Sequence, residues 1–451
     1  MFKKQVQLWQ ALRDRHSLAR HIRTLRIEWG RWYPGPYDFT GEGFEKRVGY
    51  IISNTRNLVH VEFVFHEIVD LTLLSDLVLR LTTLPVKPRV SWIDRGAYDD
   101  LSAIWDLILQ HKDVLPVFKV DLVALSVKEL GHMAKLPDLE RLNIHARSDK
   151  GFGDSLHRHL DALRKLKKLT VIQSSFGDPL STLPHNLRIL RLHLDSRMSN
   201  TTWTAICVLR ALEELSIWAQ SAEEGPPCRF QSAKLRLFHY ELHSSNSTGY
   251  QRASNVFKEC HRLSRAIIGL PNPLTLFSKM PAIDSLSSLD LARGKFESSL
   301  TFQDIVDIAE KLPRLHYFTT WWPNDKSGRP ERLTSSQAHC LAEAFTKLEE
   351  IEFRFIKSIW SEYKQWNDLQ AHKSQMIQHS LPDNMLLNPI RFSSLGKPSQ
   401  YPSLQSLDMH LLIDAISPCL HVCTAISKQP SVFLSLKQVR RHSGHLYYHP
   451  F

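Results

Sequence analysis

The residues best suited to covalent chemistry in this 451-residue chain lie in the segment 152–156, which reads FGDSL. The flanking pattern places Ser155 after a strand and before a helix, which is a position that a nucleophile can occupy. A serine attacks a carbonyl only when a base takes its proton and nearby donors stabilise the oxyanion. Catalysis at Ser155 therefore depends on partners from elsewhere in the chain.

The same five letters resemble the signature block of GDSL-type esterases. That family also needs a Gly-x-Asn-Asp block for its oxyanion hole and an Asp-x-x-His pair near the C-terminus, and neither occurs here. A five-letter match in a long chain is often accidental. We therefore interpret the segment as a turn in which Asp154 or Ser155 caps the next helix, and we expect a non-enzymatic protein with no catalytic residues.

A second candidate for chemistry is the group Cys419, His421 and Cys423 in CLHVC. A structural zinc site needs a second pair of ligands, which the sequence does not supply. The other cysteines are scattered, at positions 207, 228, 260 and 340, a pattern typical of buried reduced thiols. No phosphate loop, zincin motif or glycine-rich dinucleotide motif occurs either, so we expect no metal and no cofactor.

The dominant pattern in the chain is the repeated phrase Leu-x-x-Leu-x-apolar. Copies read DLERLNI, NLRILRL, ALEELSI, SLSSLDL, KLEEIEF and SLQSLDM. Stretches with helical spacing precede them, as with Leu156, Leu160 and Leu163, and each phrase ends in strand-like alternation. The unit is therefore helix, turn and strand, and it recurs about thirteen times at intervals of roughly 21 to 36 residues. The phrase is weakest around Val90 and Ile268.

Units of this kind bury their apolar faces only by stacking on one another. We predict an α/β leucine-rich-repeat solenoid, a horseshoe with parallel strands on its concave face and helices on its convex face. The predicted segments are an N-terminal helical cap over 1–20, the solenoid over 21–356, an insertion or loop over 357–400, and a last repeat with a C-terminal cap or tail over 401–451. Within the solenoid, Thr202 is the predicted N-cap of a helix.

Composition limits the remaining classes. The chain is 43% hydrophobic with a formal charge of +11, and no apolar run approaches the roughly 18 residues of a membrane span. The basic opening is similar to a mitochondrial presequence, but it continues without a break into the first repeat at Ile22, Leu25 and Ile27. We therefore expect a protein of the cytoplasm or nucleus that does not enter a membrane.

The phrases resemble leucine-rich repeats, and their irregular lengths are similar to those of F-box substrate receptors. The segment from Leu8 to Ile27 also resembles the stretch that follows an F-box in fungal F-box-like proteins, so the resemblance covers about 8–411. It implies a substrate receptor of a ubiquitin ligase, with a Skp-type adaptor as partner. Two features depart from the family: no F-box is visible, and Arg147, Asp195 and Gln220 stand where regular repeats carry Asn or Cys.

The strand residues that alternate with the buried leucines face away from the core and form the candidate binding face. Exposed Trp, His and Arg on a rigid sheet are typical of protein interfaces. The predicted partner-binding residues are Arg26, Glu28, Asn143, His145, Arg191, His193, Trp218, His239, Glu241, Glu352 and Arg354. We expect a protein partner on the concave face. The alternative is a basic scaffold for RNA or another polyanion, which the mixed charges disfavour, and a GDSL-type hydrolase comes third.

Overall fold

The computed structural model describes residues 21–29, 42–66, 71–95, 101–125, 127–146, 156, 158–173, 180–226, 228–244, 246–278, 280–291, 300–321, 350–355, 406–411 and 438–443. They belong to two compact units, Met1–Leu212 and Glu213–Phe451. Each unit is built on a parallel sheet whose neighbouring strands are also neighbours in the sequence, as stacked repeats require.

The described part of the first unit contains seven strands: β1 (Thr24–Trp29), β2 (His60–Phe65), β3 (Arg89–Asp94), β4 (Val117–Leu125), β5 (Arg141–Ala146), β6 (Lys168–Gln173) and β7 (Ile189–Met198). The helices described in it are α1 (Glu42–Asn54), α2 (Leu71–Thr83), α3 (Ser102–His111), α4 (Val127–Met133) and α5 (Asn200–Cys207). Each strand pairs in parallel with the next, from β1 through β7.

The second unit continues the same plan with β8 (Glu214–Ala222), β9 (Leu237–Leu242), β10 (Arg265–Gly269), β11 (Ser288–Asp290), β12 (Tyr317–Trp321), β13 (Glu350–Phe355), β14 (Ser406–Leu411) and β15 (Gln438–Ser443). Its described helices are α6 (Ser247–Glu259), α7 (Pro273–Phe277) and α8 (Phe302–Glu310). All of these strands pair in parallel and in order.

The repeated leucines form the core. Leu142, Leu169 and Leu190 lie in register on three successive strands, and all three are fully buried. Helices cover this face of the sheet: Trp105 of α3 lines a small cavity with Trp92 of β3. Burying one such leucine contributes about 1.5–3 kcal/mol, so each repeat of the phrase adds to the stability of the core. The predicted α/β leucine-rich-repeat fold class is confirmed.

Helices also pack against one face of the sheet in the second unit. Phe257 of α6 meets Phe238 of β9 edge-on, with ring centroids 6.0 Å apart, and also contacts Phe277 of α7. Edge-to-face aromatic pairs add to the stabilisation that burial gives. The side of the sheet that carries Phe238 therefore faces the helices, and the alternate strand residues lie on the other side.

The helix starts are set by capping residues. The predicted cap of α5 at Thr202 is wrong, because Ser199 occupies the N-cap position and its hydroxyl accepts a hydrogen bond from the Thr202 N–H. Thr202 lies inside the first turn and is buried. The start of α8 carries a full capping box, in which Thr301 and Asp304 each accept a hydrogen bond from the other's backbone N–H.

Strands form where the phrase is weak. β3 and β10 cover the regions of Val90 and Ile268, since neighbouring strands supply hydrogen-bonding partners even when the leucines are replaced. β15 lies in the segment that the sequence assigned to a cap or tail. The predicted cap over 1–20, the insertion over 357–400, Ser155 and the Cys419 group lie outside the described residues.

None of the helices within the described ranges combines the length and the apolar character that a membrane crossing requires.

Candidate functional site

The polar face is defined here as the strand residues that alternate with the buried core positions on each sheet. Among the described residues it carries six of the predicted binding residues in the first unit and three in the second. These are Arg26 and Glu28 on β1, Asn143 and His145 on β5, Arg191 and His193 on β7, Trp218 on β8, and His239 and Glu241 on β9. Glu352 and Arg354 occupy positions on β13, in register with Thr319 and Trp321 of β12.

A connected group of side chains lies on β8, on β9 and on the residue that follows β9 in the second unit. We call Ser216, Trp218, His239, Glu241 and His243 the β8–β9 cluster. The Trp218 Nε1–H donates to Glu241 Oε1 at 3.2 Å, and His239 Nε2 lies 3.4 Å from the other carboxylate oxygen. The Ser216 hydroxyl is 3.0 Å from His239 Nδ1. The sequence named three of these residues but gave no indication that they bond to one another.

The burial of the cluster makes these bonds stronger than bonds at an open surface. The side chains of His239 and Glu241 are only 13% and 12% exposed. Trp218 is half-buried, and its ring meets His243 edge-on at a centroid distance of 4.5 Å. Hydrogen bonds to a charged group in a low-dielectric setting are about twice as strong as neutral ones. The indole of Trp218 is therefore fixed in position at the polar face before any partner binds.

The Ser216–His239–Glu241 sequence of bonds has the composition of a nucleophile, a base and an acid. In a neutral imidazole, Nε2–H donates to Glu241 and Nδ1 accepts from the Ser216 hydroxyl. Acyl transfer also needs donors that point at an oxyanion. The strand that holds His239 and Glu241 pairs on both sides, with β8 and β10, so its backbone N–H groups are used by the ladders. The arrangement can position side chains, but its strand backbone offers no oxyanion hole.

A second polar group lies on β4 and β5 in the first unit, where Asp121 and Asn143 are in register. The Asn143 amide donates to Asp121 Oδ2 at 3.2 Å, and an Arg95 nitrogen lies 3.5 Å from the same oxygen. Asp121 is 6% exposed at its side chain. The remaining Oδ1 atoms of Asp121 and Asn143 are buried and have no hydrogen-bond donor in the part of the chain that the structure describes.

His145 lies on the polar face two residues after Asn143, on the same strand. Burial lowers the pKa of His145 below its ordinary value; the negative charge of Asp121 opposes this shift, while Arg95 and His193 reinforce it. The imidazole is therefore neutral at physiological pH. It can accept or donate one hydrogen bond, but it adds no positive charge to this part of the face.

Ion pairs connect the first strands of the polar face. Glu62 on β2 lies 3.3 Å from Arg26 on β1 and 3.3 Å from Lys119 on β4. Glu28 pairs with Arg26 at 3.2 Å and with His66 at 2.8 Å. Arg26 and Glu28 were predicted from the sequence, whereas Glu62, Lys119 and Asp121 were not.

The missed residues carried a usable signal. The phrases ending in Phe63 and Val120 alternate in the same way as the others, so they place Glu62, Lys119 and Asp121 on the polar face as well. What the sequence does not contain is the register, which brings Asp121 beside Asn143.

The described residues contain no group of three or more His, Cys, Asp or Glu side chains that could hold a metal ion. Cys207 and Cys260 are buried and Cys228 is partly exposed, and all three are reduced thiols. Burial, assisted by Glu259, raises the pKa of the Cys260 thiol to about 12, so this cysteine is not a nucleophile at neutral pH.

Comparison with known proteins adds little beyond the fold. No protein-family model matches the chain, and no curated protein matches it either. Among solved structures, the chain is similar to a chain in the crystal structure of the Rad7 and Elc1 complex in yeast. The two are 14% identical with a TM-score of 0.44, over 78% of this chain and 84% of that one.

Proposed function

We propose that this chain is a non-enzymatic scaffold that binds a protein partner across the polar face of its sheets. The observation that supports the proposal is the β8–β9 cluster. Its central residue, Trp218, is of a type enriched among binding hot spots, and it lies on the strand face and not in the core. Glu241 and His243 hold it in place.

The cluster is preorganised, which favours binding energetically. Association normally costs the conformational freedom of each side chain that it immobilises. Trp218, His239 and Glu241 are already fixed by mutual hydrogen bonds, so this cost is small for them. The ladders around them make the backbone equally rigid. Aromatic residues such as Trp218 are enriched at the centre of protein interfaces.

A non-enzymatic role is the simplest reading of the same residues. Ser216, His239 and Glu241 supply a hydrogen-bonded series, but catalysis would need an oxyanion site that the paired strands do not offer. The bonds are accounted for if they orient Trp218. A serine hydrolase reading predicts that the Ser216 hydroxyl reacts with a fluorophosphonate, and we expect no labelling.

The finer proposal, a substrate receptor of a ubiquitin ligase in the cytoplasm or nucleus, is supported by the resemblance of 8–411 to F-box-like repeat proteins. It predicts that a Skp-type adaptor and a cullin co-purify with the full-length chain from its native cells. Recovery of another partner without them would support a free-standing scaffold instead.

The experiment that tests the general proposal is affinity purification of the wild-type chain beside two variants. Trp218→Ala removes the anchor of the cluster, and Lys258→Ala alters an exposed residue of α6 as the control. We expect the partner to be lost with Trp218→Ala and retained with Lys258→Ala, while both variants keep the wild-type circular dichroism spectrum. Equal recovery of the partner with Trp218→Ala would contradict the proposal.

A further inference from the structure

A line of positive charge crosses the polar face of the first unit near the start of its strands. Lys119 on β4, Arg141 on β5 and Lys168 on β6 are in register with one another on successive strands. Neighbouring strands lie about 4.8 Å apart. Arg89 and Lys167 flank this row, and we call Arg89, Lys119, Arg141, Lys167 and Lys168 the basic strip.

Like charges directly opposite each other destabilise a sheet. A neutral or acidic residue in place of Arg141 would serve the fold better, since position 141 lies between Lys119 and Lys168. A contribution to the stability of the fold therefore does not explain why these cations lie side by side. Such unfavourable local choices are found where a binding function compensates for them.

The ion pairs of the described residues leave out Arg141, the central cation of the strip. Glu140 Oε1 is shared between Arg89 at 3.0 Å and Lys167 at 3.3 Å. Glu62 is shared between Lys119 and Arg26. Glu62 and Glu140 thus pair with three cations of the strip, and Arg141, which is exposed, makes no ion pair with any residue that the structure describes.

Two neighbouring groups respond to this positive potential. Burial is the largest cause that lowers the pKa of His60; Glu62 opposes it, while Lys119, Arg89 and Arg141 lower it further. For Glu140, burial acts to raise the pKa, but hydrogen bonds from Arg89 and Lys167 outweigh burial and hold the pKa below its ordinary value. Both shifts have the sign that an excess of positive charge produces.

We propose that the basic strip binds an acidic, Asp- and Glu-rich segment of the protein partner. This inference rests on the proposed function and adds the chemistry of the partner. The strip is accessible, since the side chains of Arg89 and Lys167 are 42% and 50% exposed. Its charge complements an acidic peptide, which steers association and gives specificity.

An acidic polypeptide fits this strip better than a nucleic acid does. Single-stranded nucleic acids bind where exposed aromatic rings stack on their bases. The aromatic ring at the strip, Phe118, is buried, and Arg89 lies over it with the guanidinium carbon 4.2 Å from the ring centroid. Glu62 and Glu140 also interrupt the strip, and they would repel a continuous phosphate backbone. A peptide can place its carboxylates between them.

The test measures fluorescence anisotropy of a labelled peptide of alternating glutamate and serine on the full-length chain. Arg141→Glu changes the centre of the strip, and Arg262→Glu makes the same charge change at an exposed turn of the second unit. We expect saturable binding that Arg141→Glu weakens about tenfold and Arg262→Glu leaves within twofold. We also expect Arg141→Glu to raise the thermal midpoint, because it replaces two repulsions with attractions.

Three results would overturn the inference. These are equal binding of a control peptide with glutamine in place of glutamate, an unchanged affinity for Arg141→Glu, and tighter binding of a labelled uridine oligonucleotide than of the acidic peptide. The outcome is separable from that of the proposed function. Loss of the cellular partner with Trp218→Ala and its full retention with Arg141→Glu would remove only the acidic-segment inference.

Discussion

Glu241 holds the β8–β9 cluster together, because its two carboxylate oxygens face different donors, the Trp218 indole and the His239 imidazole. In Glu241→Gln the amide group presents an N–H₂ to one of these donors, so one bond is lost and the other becomes neutral. We expect the free energy of unfolding to fall by about 1–3 kcal/mol. Urea unfolding followed by tryptophan fluorescence measures it, and Ser216→Ala, which removes one neutral bond, should cost less. An unchanged free energy for Glu241→Gln would show that the cluster is not formed.

His145 gives the first unit a predictable response to acid. Burial, opposed by Asp121 and reinforced by Arg95 and His193, lowers its pKa in the folded state. Above the ordinary histidine pKa of about 6.5 the residue is neutral in both states and has no effect. As the pH falls below that value, the unfolded chain takes up the proton first, so stability is lost until the lower folded pKa is reached.

We therefore expect the thermal midpoint of the wild type to fall faster between pH 7 and pH 5 than that of His145→Gln. Above neutral pH, the thermal midpoints of the wild type and of His145→Gln should change with pH in the same way. Resonances of the His145 imidazole that titrate at or above the ordinary histidine pKa would contradict this account.

Cysteine reactivity tests burial at single residues. Burial raises the pKa of the Cys260 thiol to about 12, and Cys207 is also buried, whereas Cys228 is partly exposed. In native protein treated with iodoacetamide, we expect peptide mapping to show modification of Cys228 and protection of Cys207 and Cys260. Protection should disappear in urea. Modification of Cys260 as fast as Cys228 in the native state would contradict the packing of α6 on its sheet.

At the scale of elements, the two faces of one strand should respond very differently to mutation. Leu169 is fully buried in register with Leu142 and Leu190, while Thr170, the next residue on β6, points to the polar face. We expect Leu169→Ala to lower the stability of the first unit by about 2–5 kcal/mol, through lost burial and the cavity it leaves. Thr170→Ala should stay within about 0.5 kcal/mol. Similar thermal midpoints for the two variants would contradict the assigned faces.

The elements themselves were predictable from the sequence because their cause is local. The spacing of Leu139, Leu142 and Ile144 requires a turn and a strand with one buried face, and the structure has β5 there. The same alternation identifies Trp218 and Glu241 as polar-face residues. The pattern is weakest where other repeats supply the stability. β3, β10 and β15 form with poor copies of the phrase because adjacent strands offer complete ladders.

Register was the part that the sequence could not supply. Aligning the phrases copy to copy would place Val120 beside Ile144, but in the structure Val120 pairs with Leu142 and the longer β4 places Leu122 beside Ile144. A shift of two residues keeps every side chain on its own face, so burial alone does not distinguish the two alignments. The contact between Asp121 and Asn143 follows from this shift. The N-cap of α5 was also predicted wrongly. Ser199 and Thr202 are both good capping residues, and the sequence does not distinguish between them.

At the scale of the whole molecule, the formal charge of +11 is compatible with two kinds of partner, an acidic protein and a nucleic acid. The described ion pairs favour the protein, since Glu62, Glu140 and Glu241 lie among the basic residues of the polar face. Salt weakens both kinds of binding. The affinity for a nucleic acid falls much more steeply, roughly as a high inverse power of the salt concentration. We expect the affinity of the captured partner to depend only weakly on the salt concentration. A steep dependence would favour the polyanion alternative.

Site-specific photo-crosslinking in the native cells shows whether a protein partner contacts the polar face. A benzophenone amino acid at Gln220, which is exposed on β8 beyond Trp218, probes the polar face, and the same group at Lys258 probes the exposed side of α6. We expect a discrete crosslinked species from position 220 that Trp218→Ala abolishes, and none from position 258. Crosslinking of the same partner only from position 258, or equally from both positions, would contradict this expectation.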